Sequence, residues 1–113
     1  ISSVYGLVGS AANVGYAMSK GAVQSATKAL AIELAPKHIR VNCIAPGFVR
    51  TEMMDKVSSS FSSDDYLNNL KKLHPLGIGE PIDVANTIAF LLSDMAKWIT
   101  GTIISVDGGF TAQ

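Results

Sequence analysis

The stretch Ile39-Arg40-Val41-Asn42-Cys43-Ile44-Ala45-Pro46-Gly47 decides the fold. Ile39 to Ala45 is a short β-branched segment ended by Pro46-Gly47, which predicts a strand running into a turn. Upstream, Tyr16 to about Pro36 reads as a helix. Ala22, Val23, Ala26, Leu30 and Leu34 recur at spacings of three and four, with Lys20, Lys28 and Glu33 between them. That stripe, mostly alanine, is the expected buried face and would let another backbone approach closely. Pro36 and Lys37-His38 fit the helix end, where cations meet the carbonyl dipoles. Ahead of the helix, Gly6 to Gly15 is too rich in glycine for a regular element.

Downstream, residues 56–66 hold five serines and few large apolar side chains, so they are expected to move without ligand and to order with it. A short helix over about 64–73 follows, with Ser63 or Asp64 as its cap, and then a Pro/Gly loop from His74 to Pro81. Pro81 sits in the first turn of a helix through Leu92, whose expected buried face is Val84, Ile88, Leu91 and Leu92. Trp98 to Gly101 is a connector, and Thr102 to Val106 is a second β-branched strand, closed by Asp107-Gly108-Gly109. Helix–strand–helix–strand alternation with nearly continuous apolar strands predicts an α/β fold, a parallel sheet covered by helices.

Composition excludes several functions. Nine Lys plus Arg balance nine Asp plus Glu in 113 residues, and Lys71-Lys72 is the only adjacent cationic pair. Affinity for nucleic acid or an anionic membrane surface would need a basic excess. The longest apolar run, Ile88-Ala89-Phe90-Leu91-Leu92, is far short of a membrane span. A single cysteine rules out an internal disulfide framework, and with two isolated histidines it disfavours a zinc site. Charged residues make up 16%, low for a small domain, whose large surface needs charge. With a start at Ile1-Ser2-Ser3, this predicts a piece of something larger.

Tyr16 and Lys20 stand four apart at the start of a helix and share one face. An ammonium near a phenol favours the phenolate, so the pair has the means to give a proton to a carbonyl oxygen or take one from an alcohol. An isolated pair of this kind reads first as an amphipathic helix with a snorkelling lysine. Ser3, thirteen residues earlier at the end of a strand, strengthens the chemical reading. The glycine-rich loop between them can fold back and let the Ser3 hydroxyl donate to the same substrate oxygen. A serine nucleophile is the rival. Ser2-Ser3-Val4-Tyr5 is no Gly-x-Ser-x-Gly elbow, however, and neither His38 nor His74 is an obvious base.

Taken with the motifs around them, these residues make the sequence resemble the short-chain dehydrogenase/reductase family, in particular its 3-oxoacyl-carrier-protein-reductase-like members. The resemblance runs over essentially the whole chain. It rests on Ile1-Ser2-Ser3, Tyr16-Ala17-Met18-Ser19-Lys20, Arg40-Val41-Asn42-Cys43-Ile44-Ala45-Pro46-Gly47, Thr51-Glu52-Met53, Gly79-Glu80-Pro81, Thr100-Gly101 and Val106-Asp107-Gly108-Gly109, in that order. It implies the C-terminal part of a Rossmann-type doubly wound parallel sheet. Residues 1–113 would be the C-terminal catalytic half of one NAD(P)-binding domain, with the N-terminal half absent.

The resemblance further implies an oxidoreductase moving a hydride between NAD or NADP and a small carbonyl or alcohol substrate, a ketone or 3-oxoacyl compound. It implies a cytoplasmic homo-oligomer, a dimer or homotetramer, without nucleic-acid or membrane partners. Ser3 and Tyr16 would hydrogen-bond the reacting oxygen, with Tyr16 as acid/base. Lys20 would lower the tyrosine pKa and hold the nicotinamide ribose. Pro46, Gly47, Val49 and Thr51 would lie against the nicotinamide end, and residues of about 50–80 would form a substrate lid. A catalytically silent fragment or subunit with only an assembly role is the alternative.

Without the resemblance, Pro46-Gly47 is an ordinary strand-ending turn and Thr51 a helix cap. Cys43 is expected to pack in the core, His74 to be a solvated or capping side chain, and Trp98 to pack a helix end. Asp107-Gly108-Gly109 is a turn, which the resemblance places near a subunit interface. The family's Gly-rich phosphate loop, its cofactor-selecting charged residue and its active-site asparagine have no match here. Gly6-Leu7-Val8-Gly9 opens no helix, and Leu76-Gly77-Ile78-Gly79 lacks an arginine often found there.

Overall fold

The structure is a computed structural model and describes residues 1–52 and 63–113. Helix α1 spans Val14–Leu34, strand β1 Cys43–Pro46, helix α2 Ser63–Lys72, helix α3 Pro81–Leu92 and strand β2 Ile103–Val106. β1 and β2 pair in parallel, with Cys43 opposite Ile103 and Pro46 opposite Val106. The helices between them, α2 and α3, make this a crossover of the kind expected for an α/β sheet. The other edge of β1 is occupied at its centre, where the Ser2 N–H donates to the Ile44 carbonyl at 2.7 Å.

β1 is shorter than the stretch 39–45 suggests, because residues 40–42 are held mainly by side chains. The Asn42 amide donates to the Ile99 carbonyl at 2.9 Å and accepts from the Thr102 N–H at 3.3 Å. The Val41 N–H goes to the Thr100 hydroxyl at 3.1 Å. Cys43, Ile44 and Ala45 are buried, so Cys43 is a core residue as expected.

Ile44, Leu91 and Ala96 form the buried centre, with Val84, Ile88, Ile99, Ile104 and Val106 packed around it. α3 starts at Pro81, whose missing N–H costs nothing in a first turn. The Asp83 carboxylate accepts from the Glu80 N–H at 2.8 Å and satisfies one orphan donor. Val84, Ile88 and Leu91 face the sheet as their spacing predicts. Leu92 does not: one position on from Leu91 it turns outward and is 78% exposed. Trp98 packs no helix end either, being 95% exposed.

α1 begins two residues before Tyr16 and turns a different face inward from the one its apolar spacing suggests. Gln24, Thr27 and Ala31 are buried, whereas Ala22, Val23, Ala26 and Leu30 are exposed. Hydrogen bonds explain the exchange. Gln24 Nε2 donates to Ser2 Oγ at 3.0 Å and to the Ser3 carbonyl at 3.2 Å. The Thr27 hydroxyl donates to the Val23 carbonyl of its own helix at 2.8 Å. Polar groups with such partners can be buried at little cost. The expected mobility of residues 56–66 falls mostly on 53–62, which lie outside the described residues; 63–66 are the first turn of α2.

α1 ends in a 3₁₀ turn, Ala35–Lys37, and then His38 in the left-handed region at φ 56°. That conformation puts a Cβ close to the following carbonyl and costs an L-residue roughly 1 kcal/mol. His38→Gly therefore is expected to raise stability by up to about 1 kcal/mol, read as a higher urea midpoint with an unchanged slope.

Candidate active site

Ser3 caps the 3₁₀ turn Val4–Gly6, its Oγ accepting from the Tyr5 N–H at 3.3 Å. This turn docks on α1. Ser2 Oγ donates to the Lys20 carbonyl at 2.8 Å, and Gln24 grips the backbone at Ser3. Gly6 is needed for the approach, since a Cβ there would stand 2.5 Å from Gln24 Nε2 and 2.9 Å from the Lys20 carbonyl carbon. The chain thus folds back onto α1, with Ser2 against Lys20 and the Ser3 carbonyl against Gln24 at the middle of the helix.

Tyr16 and Lys20 share a face of that helix. Lys20 Nζ lies 5.5 Å from the centre of the Tyr16 ring, within cation–π range. Tyr16 is 47% exposed and Lys20 half-buried. Among the described residues the ion pair is Arg50–Glu80, at 3.6 Å on the surface, and no described carboxylate takes up the Lys20 ammonium.

Pro46, Gly47 and Val49 are half-buried where β1 runs out, and Thr51 is exposed beyond them. The backbone here is tied on several sides. The Gly47 N–H donates to the Val106 carbonyl at 3.0 Å, the Gly79 N–H to the Phe48 carbonyl at 3.0 Å, and the Arg50 N–H to the Gly79 carbonyl at 2.8 Å. A Cβ on Gly47 would stand 2.9 Å from Asp107 Cα and 3.0 Å from His74 Nε2. Close packing therefore accounts for this glycine by itself. A cleft of about 360 Å³ beside the segment includes Val49 but none of Ser3, Tyr16 and Lys20.

Tyr5, which the sequence did not single out, links the two groups. Its ring meets those of Tyr16, Phe48 and Phe110 edge to face, with centroids 6.5, 6.0 and 6.0 Å apart. Such T-shaped pairs are favourable because ring edges are positive and faces negative. One aromatic cluster thus spans from Tyr16 to the segment after Pro46-Gly47. Asp107 closes the far side. Partial burial pushes its carboxyl up, but hydrogen bonds from the Thr111 hydroxyl, the Thr111 N–H and the Gly109 N–H outweigh this and hold it below the usual carboxylate range.

His74 does more than the sequence suggests. It is not solvated, being 2% exposed; it caps the end of α2, with the Leu70 carbonyl 2.7 Å from Nδ1, and it also accepts the Phe48 N–H at Nε2, 3.2 Å away. Phe48 lies 26 residues away, so nothing local in the sequence announced that partner.

A family model described as enoyl-(acyl carrier protein) reductase matches residues 1–111. The chain is 42% identical over 110 residues to a 3-oxoacyl-[acyl-carrier-protein] reductase of Aquifex aeolicus, covering 96% of this chain and 42% of that protein. It is 41% identical over 116 residues to a cyclopentanol dehydrogenase of a Comamonas species, covering 100% of this chain and 44% of that one. Among solved structures, a short chain dehydrogenase family protein of Francisella tularensis superposes with a TM-score of 0.90 at 37% identity, over 99% of this chain and 49% of that one. A 4-hydroxyisoleucine dehydrogenase complexed with NADH gives 0.92 at 37% identity, over 99% and 45%. The chain belongs to the short-chain dehydrogenase/reductase family, and its fold is the Rossmann-type α/β fold of these relatives. It spans less than half the length of the curated relatives it matches.

Proposed function

We propose that these 113 residues are the C-terminal catalytic half of a single NAD(P)-binding domain, in an enzyme that interconverts a carbonyl compound and an alcohol. The observation that carries the reading is the Tyr16–Lys20 pair on one face of α1, with Ser3 docked on the same helix. NADH or NADPH, when bound, supplies the hydride that adds to the carbonyl carbon. The chain's own residues handle the oxygen. The Tyr16 hydroxyl gives its proton to that oxygen as the carbonyl is reduced, and takes one from the alcohol in reverse. The Ser3 hydroxyl donates a hydrogen bond to the same oxygen and stabilises the charge building there.

The Lys20 ammonium, which no described carboxylate takes up, has the donors to hold ribose hydroxyls while keeping positive charge beside the Tyr16 ring. Pro46, Gly47, Val49 and Thr51 line the nicotinamide end, on backbone already fixed by β2 and Gly79. The substrate class is a ketone or a 3-oxoacyl compound. This fits relatives named as a 3-oxoacyl-[acyl-carrier-protein] reductase and a cyclopentanol dehydrogenase.

A homo-oligomer, dimer or tetramer, belongs to the same proposal. The exposed Ala22, Val23, Ala26 and Leu30 form a small-residue apolar face on α1 that a second copy can cover. No helix among the described residues is long and apolar enough to cross a membrane. The test is oxidation of NADH and NADPH by the full-length protein, offered cyclic ketones and 3-oxoacyl thioesters. Turnover with at least one carbonyl is the expected result; none with any carbonyl or alcohol would reject the reading.

A further inference from the structure

His74 is buried with both ring nitrogens engaged, and its partners fix its tautomer. The Leu70 carbonyl can only accept, so Nδ1 carries the proton. Nε2 is then a bare lone pair, and it accepts the Phe48 N–H at 3.2 Å. The ring is held on both sides, edge to face with Phe48 at 5.4 Å and tilted against Phe110 at 5.0 Å. It therefore bridges the end of α2 to the backbone between Gly47 and Val49. We propose that His74 is a positioning residue: through Nε2 it sets the place of the Phe48 amide, and with it the 46–49 backbone against which the nicotinamide end of the cofactor lies. This rests on the proposed function for the identity of what binds there.

The geometry makes the reach of the side chain decisive. The Phe48 N–H is part-buried, so losing its acceptor leaves a donor that water satisfies only in part. Neighbouring bonds constrain Gly47 from β2 and the Phe48 carbonyl from Gly79, but the Phe48 N–H itself depends on His74. Phe48 also carries the ring contact to Tyr5, and Tyr5 that to Tyr16, so a shift at Phe48 would reach the acid/base group.

Two substitutions separate positioning from mere packing. In His74→Asn the amide nitrogen stands where Nδ1 was and keeps the bond to Leu70, but nothing reaches Phe48. In His74→Gln the amide oxygen reaches the place of Nε2 and keeps the acceptor for Phe48, while the bond to Leu70 is lost. Each variant forfeits one hydrogen bond, so both are expected to melt at similar temperatures. Both would be made in the full-length protein. Hydrogen exchange would be read on a peptide spanning 46–50 without cofactor, and binding of NADH and NADPH by nicotinamide fluorescence.

The expected result is faster exchange in His74→Asn only, with cofactor binding weakened about tenfold in that variant and close to wild type in His74→Gln. Unchanged exchange in His74→Asn would overturn the proposal. So would altered exchange with equal cofactor affinity in wild type and His74→Asn, or equal losses in both variants. A wild-type protein that binds neither cofactor would overturn the proposed function, and this inference with it, whatever the exchange data say.

Discussion

Tyr16→Phe in the full-length enzyme is expected to lower turnover by at least about 10²-fold while leaving the fold intact. The substitution removes one oxygen. The ring stays, and the ring makes the structural contacts: Tyr5 edge to face at 6.5 Å and the Lys20 ammonium at 5.5 Å. With the side chain 47% exposed, removing the hydroxyl leaves no cavity. Stability should therefore be unmoved while proton transfer is lost. The measurements are steady-state oxidation of NADH or NADPH with the substrate that wild type prefers, and the thermal midpoint of both proteins. Near-normal turnover in Tyr16→Phe would remove Tyr16 from the acid/base role, and Ser3 would be the next hydroxyl to test.

The order of elements was legible because strand and helix leave different marks in this sequence. β-branched runs ending in Pro-Gly or Asp-Gly-Gly became β1 and β2, and Pro81 opened α3 where its ring predicts. The Tyr16–Lys20 pair was legible for a similar reason, since four residues on a helix fix a shared face. What escaped the sequence was decided by partners far along the chain. Gln24 and Thr27 look like surface residues until Ser2, Ser3 and the Val23 carbonyl satisfy them. Ala22, Val23 and Leu30 look like core until that choice turns them outward. His74 needed Phe48, 26 residues away, and Tyr5 needed Tyr16, Phe48 and Phe110 together. Hydrophobic spacing reports which faces are apolar; it does not report which polar groups will find each other.

The same contrast between apolar surface and core governs the largest effect expected, that these 113 residues alone do not behave as a clean monomer that binds NAD or NADP usefully. A two-stranded parallel sheet is marginal by itself, because parallel strands are normally covered on both faces within a larger sheet. Among the described residues the outer edge of β1 is covered by Ile1-Ser2, through the Ser2–Ile44 bond, and Ile1 is 64% exposed. A hollow lined by Arg40 and Asn42 together with Ile1, Val41, Ile44, Ile88, Leu91 and Leu92 lies beside that edge. Val14, Met18, Ile32, Leu92, Met95 and Trp98 are each at least 70% exposed, which is surface that favours association. For the cofactor, the fixed charge is on the pyrophosphate, whose usual cradle is a Gly-rich loop opening a helix. Gly6-Leu7-Val8-Gly9 does not supply one: Val4–Gly6 is a 3₁₀ turn and α1 begins only at Val14. What these residues offer is the ribose and nicotinamide end, through Lys20 and the segment after Pro46. Light scattering on the chain is expected to give oligomers or aggregates, and calorimetric titration with NADH or NADPH no saturable heat at micromolar concentrations. A monodisperse monomer that binds either cofactor at micromolar concentration would mean that Lys20 and the 46–51 segment suffice for the whole dinucleotide.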